Sequence, residues 1–67
     1  MVARLRMKAS VTCVYHAYDG DELVATGRLI LDGLPQVGEE VRLNGRTHVV
    51  REVAYGSDSP VLTLEPR

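Results

Sequence analysis

From Ala3 to Ala17 the chain alternates with period two. The odd positions read Ala3, Leu5, Met7, Ala9, Val11, Cys13, Tyr15 and Ala17; the even positions read Arg4, Arg6, Lys8, Ser10, Thr12, Val14 and His16. Successive side chains of a β-strand point to opposite faces, so this spacing gives one apolar and one polar face. An α-helix would scatter the odd residues around its whole circumference. At about 3.3 Å per residue the segment would reach roughly 50 Å if straight. A chain of 67 residues folds to a body roughly half that wide. The strand is therefore expected to bend, bulge or project beyond the body. Ala9 and Ser10 are the small residues where a bend costs least.

Tyr18-Asp19-Gly20-Asp21-Glu22 ends this strand, and Asp-Gly suits the positive φ of a tight hairpin. A second strand is expected from Leu23 to Asp32, with Leu23, Ala25, Leu29 and Leu31 on one face and Thr26 and Arg28 on the other. Gly27 falls on the apolar face, where it marks a bulge or a close backbone approach. Ile30 is an apolar exception on the polar face and a candidate for a second buried surface. Asp32-Gly33-Leu34-Pro35 stops the strand, and Gln36–Glu39 connects to a third, Glu40 to Leu43, whose Val41 and Leu43 share a face.

Asn44-Gly45 is the strongest two-residue hairpin signal in the chain. The fourth strand follows from Thr47 to Tyr55 and admits two registers. In one, His48 and Val50 point inward, a bulge falls near Arg51, and Val53 and Tyr55 point inward. In the other, Val49, Val53 and Tyr55 point inward and Arg51 is tolerated. Tyr55 is a core residue in both. After the loop Gly56–Pro60, a short last strand from Val61 to Glu65 turns Leu62 and Leu64 inward.

Five strands joined by tight turns, with no helical period longer than one turn, define an all-β chain, read as a single domain over 1–67. The expected architecture is a five-stranded antiparallel small barrel, partly open and SH3-like; an OB-like barrel and a curled β-meander are the alternatives. The stretch Leu34–Val53, LPQVGEEVRLNGRTHVVREV, resembles the Gly-punctuated hairpin of many SH3-like barrels. That resemblance is architectural and carries over no functional residues. The chain has no Trp, no Phe and three Tyr, so core volume comes from Val, Leu, Ala, Ile and Met. Its single Cys excludes a disulfide framework of the kind that staples small secreted domains.

The chemistry-bearing residues are few. Cys13 and His16 are three apart on a strand and so point to opposite faces, which disfavours a nucleophile–base dyad. Cys13 lies on the apolar face, where a buried thiol is inert. His16 faces solvent, and His48 depends on the register of its strand. Cys13-x-x-His16 has the spacing of half a zinc site without the other half. Asp19, Asp21 and Glu22 form an acidic turn that lacks the ligand pattern of a calcium loop. The glycines are too dispersed to cradle a phosphate. No catalytic, cofactor or metal residues are assigned, and no enzyme activity is expected.

Charge and edges point to partners instead. The net charge of −1 hides a segregation: residues 1–18 hold Arg4, Arg6 and Lys8 and no acid, whereas residues 19–67 hold five basic and nine acidic residues. Arg4, Arg6 and Lys8 share one strand face at roughly 7 Å intervals. With Arg28 they are the candidate contacts to nucleic acid or another partner. Against nucleic acid stand the net charge and the lack of exposed aromatics; cations on a strand edge also guard it against aggregation. The over-long first strand offers unpaired backbone groups and the apolar row Leu5, Met7 and Ala9 as a self-association edge. The expectation is a non-catalytic small binding or assembly module, acting through a β edge or barrel face and pairing with itself or another protein. A nucleic-acid-binding barrel is the alternative. No apolar run approaches the roughly 20 residues of a membrane span. The basic start lacks the apolar stretch of a signal peptide, so a cytoplasmic setting is expected.

Overall fold

The computed structural model describes residues 10–56 and 58–67. Within them the chain forms five strands and no helix: β1 (Val11–Asp19), β2 (Glu22–Leu31), β3 (Glu40–Leu43), β4 (Arg46–Tyr55) and β5 (Pro60–Pro66). They build one sheet in the order β2-β1-β5-β4-β3, curled into a half-barrel of SH3-like form. The sheet is mixed rather than wholly antiparallel. β5 enters between β1 and β4 and runs parallel to β1, with Val14 opposite Val61 and Ala17 opposite Leu64. Parallel neighbours need a long crossover, which here consists of β2, β3 and β4. Alternation determines which way side chains face, but a strand reads the same on either side of its partner, so direction had to come from the fold.

Two turns fix the hairpins. Between the paired Asp19 and Glu22, Gly20 takes φ 68° at the first central position, the requirement of a type II′ turn. Between Leu43 and Arg46, Asn44 (φ 53°) and Gly45 (φ 82°) both take positive φ, as a type I′ turn demands. The longer connection 32–39 is tied to β4: Gly38 N–H donates to Val50 O at 2.8 Å, and Val50 N–H donates to Glu39 O at 2.9 Å. Leu34 from this connection packs against the core.

The core is one face of the sheet. Cys13, Tyr15 and Ala17 of β1, Val41 and Leu43 of β3, Val50 of β4, and Leu62 and Leu64 of β5 are buried together. Of the two registers open to the fourth strand, β4 adopts the one with a bulge. His48 and Val50 point inward, the pairing with β5 shifts between Val50 and Glu52, and Val53 is inward opposite Leu62. Tyr55 departs from expectation. It is in the inward register opposite Pro60, yet 75% exposed, because it lies at the end of β4 beyond the last buried layer.

Gly27 is a close-approach glycine. It sits opposite Tyr15, and a Cβ built on it would lie 2.9 Å from both Cε2 and Oη of the Tyr15 ring. The ring lies across the strand where a side chain would otherwise stand. The bulge in this hairpin falls elsewhere, between Ala17 and Tyr18, where Val24 is the extra residue on β2. It moves Leu23 off the inward face expected for it. Leu23 pairs with Tyr18 and is exposed.

Candidate functional site

Among the described residues the sheet ends in two edges that pair with no further strand, β2 and β3. β3 has only four residues, and its solvent-facing positions are Glu40 and Arg42. Brevity and charge are the usual protections of an edge. The salt bridge from Arg67 to Glu40, at 3.0 Å, ties the described C-terminus to it. β2 has ten residues, none of them buried. Beyond Glu22 at its start, its one charged residue is Arg28. Ile30 is 72% exposed, Val24 55% and Leu23 50%. On the inward side Ala25, Leu29 and Leu31 are only half-covered by the core. Among the described residues the edge therefore combines a backbone row without a strand partner and apolar side chains on both faces. The bulge at Val24 confines its regular part to Ala25–Leu31.

Of the residues expected to contact partners, Arg28 is exposed on the outward face of β2, opposite Val14. Arg4, Arg6 and Lys8, and the proposed edge residues Leu5, Met7 and Ala9, lie outside the described residues. Where β1 is described it is an inner strand, paired with β2 along its length and with β5 from Val14 to Ala17. The free edge thus passes to its hairpin partner β2. Its most exposed large apolar residue, Ile30, was visible in the sequence as an apolar exception. Leu23 and Val24 were not, because a bulge leaves no mark in the alternation.

A shallow cleft of about 440 Å³ lies on the outward face, lined by Tyr18, Gly20, Asp21, Arg51, Glu52 and Thr63. The β4 bulge aims Arg51 into it. The guanidinium stands 6.0 Å from the centre of the Tyr18 ring, and its Nε lies 3.4 Å from Glu65 Oε1. Both partners are exposed, so this network contributes little to stability, and it already occupies the cation.

Cys13 and His16 fall on opposite faces, Cys13 inward and wholly buried, His16 outward and half-buried. His48 is buried, with Nδ1 3.4 Å from Arg46 O. Among the described residues no three His, Cys, Asp or Glu side chains gather as metal ligands, and no helix is long and apolar enough to cross a membrane. Burial pushes the Cys13 thiol above the 9.0 of an unperturbed thiol. The folded state then holds the proton after the unfolded chain has lost it. Its contribution is complete below about pH 9 and falls as pH rises toward the folded value. Alkylation of Cys13 in native buffer is expected to be slow at pH 8 and to become fast in denaturant. The urea midpoint should drop between pH 8 and pH 10. Equal alkylation rates in both solvents would contradict the burial.

Compared with protein families, curated proteins and solved structures, the chain matches none of them.

Proposed function

We propose that this domain is a non-catalytic, cytoplasmic assembly module that joins copies of itself through the free edge of β2. The observation that carries this is an edge strand of ten residues with no buried residue and with Ile30 left 72% exposed. Unpaired strand edges template the addition of another strand, and proteins that remain monomeric blunt them with charge, proline or short length. The regular part of β2 has one such device, Arg28. Covering Ile30 would contribute on the order of 1–2 kcal/mol per copy from apolar burial, in addition to the new backbone pairs. A core without Trp or Phe gains in proportion from each apolar residue covered at an interface.

The test is size-exclusion chromatography with light scattering at high micromolar concentration. A dimer or larger species is expected for the native sequence, and a monomer with an unchanged circular dichroism spectrum for Ile30→Asp. A native chain that stays monomeric at that concentration would overturn the proposal, as would an Ile30→Asp variant that assembles like the native one.

A further inference from the structure

We propose that the second copy adds to β2 antiparallel, in the register centred on Ile30. This rests on the self-association proposed above and names the pairing that produces it. A two-fold axis through a β2–β2 pair sets each residue opposite its reflection about one central position. If the half-covered inward faces of both copies stay on the same side, residues of like parity pair and the centre is a single residue. The bulge at Val24 excludes centres that depend on the first part of β2, so the choice falls within Ala25–Leu31 and the residue after it.

The charges then select among the centres. A centre at Arg28 sets two guanidinium groups opposite each other, and like charges directly across a pair are unfavourable. A centre at Leu29 sets Arg28 against Ile30. A centre at Gly27 sets Arg28 against Thr26 and brings Glu22 toward Asp32. A centre at Leu31 sets Ile30 against Asp32. A centre at Ile30 pairs Ile30 with itself, Leu29 with Leu31, and Arg28 with Asp32 twice over. Both Arg28 and Asp32 are exposed, and neither is among the observed salt bridges within the described part of the chain. This register buries the most exposed apolar side chain of the strand against its own copy. It also extends the half-covered inward row across the junction.

The test is a charge exchange read by sedimentation equilibrium. Arg28→Asp and Asp32→Arg are each expected to weaken the dimer about ten-fold or more, because each variant replaces two attractive cross-strand pairs with two repulsive ones. The double variant carrying both substitutions restores complementary pairs and should recover the native dissociation constant to within about three-fold. Both substitutions are on exposed side chains, and circular dichroism checks that the fold persists in all three variants. As a second measurement, Ile30→Cys should form a disulfide-linked dimer under mild oxidation much faster than Thr26→Cys. Residues paired across antiparallel strands have Cα atoms about 4.5–5.5 Å apart, within disulfide range, and buried Cys13 does not compete. If the double variant is no better than the single ones, or Thr26→Cys links as fast as Ile30→Cys, the register is wrong. If Ile30→Asp still gives monomers, the edge itself stands. A native chain that is monomeric removes the edge as well.

Discussion

Leu64→Ala is expected to leave much of the protein unfolded at room temperature. Leu64 is fully buried and sits at the centre of the inward face, flanked by Ala17 on β1 and Val50 on β4. Removing a large buried aliphatic side chain costs about 2–5 kcal/mol, with the upper part of that range reached where neighbours cannot move into the gap. Here one neighbour is already an alanine, and Val50 is stiff at its β-branch, so the cavity should persist. A domain of this length has a total stability of roughly 3–10 kcal/mol, so the loss is a large share of the whole. Urea denaturation followed by circular dichroism should show a midpoint shifted strongly down with an unchanged slope. The same truncation at Val61, one face away and half-buried, should cost less than half as much. Equal losses at Leu64 and Val61 would mean that the two faces of β5 are not distinguished as described. Protein concentration must be held fixed in this comparison, since the proposed self-association would add to apparent stability.

The faces of the strands were legible in the sequence because burial on one side imposes period two. Cys13, Tyr15 and Ala17 on β1, Val41 and Leu43 on β3, and Leu62 and Leu64 on β5 are where alternation places them. The turns were legible because positive φ restricts the residue type, as at Asn44-Gly45. Three things were not. The parallel pairing of β1 with β5 depends on which strands neighbour each other in space, and the side-chain period is the same in both directions. The bulge at Val24 adds one residue without a distinctive side chain, so alternation alone places Leu23 on the wrong face. The exposure of Tyr55 follows from how far the core extends along β4, which depends on the other strands. The candidate edge was legible only in part. Ile30 stood out as an exception, but that β2 rather than β1 is the free edge could be seen only once β5 had taken its place beside β1.

Gly27 is where a substitution that is mild elsewhere in a strand should be severe, and where the sign of its effect should depend on a second residue. Glycine inside a strand normally weakens it, and alanine there is better by roughly 0.5–1 kcal/mol. Gly27 does not take a positive φ, so its backbone accepts an alanine. The obstacle is the Tyr15 ring, whose Cε2 and Oη would lie 2.9 Å from the new Cβ. Tyr15 is itself buried and paired on its other side with Leu62, so the ring cannot swing away without disturbing the core. Gly27→Ala is therefore expected to destabilise the native chain by about 1–3 kcal/mol, the usual cost of overpacking. Tyr15→Phe removes only Oη and leaves the Cε2 contact, so it should relieve a minor part of that cost. Tyr15→Leu removes the ring. In that background Gly27→Ala should turn stabilising, by roughly 0.5–1 kcal/mol, even though Tyr15→Leu alone lowers stability. The coupling energy from the four urea denaturation curves is then about 2 kcal/mol or more, well above the few tenths seen for distant, independent sites. An alanine at position 27 that costs the same in both backgrounds would show that the ring does not lie over Gly27.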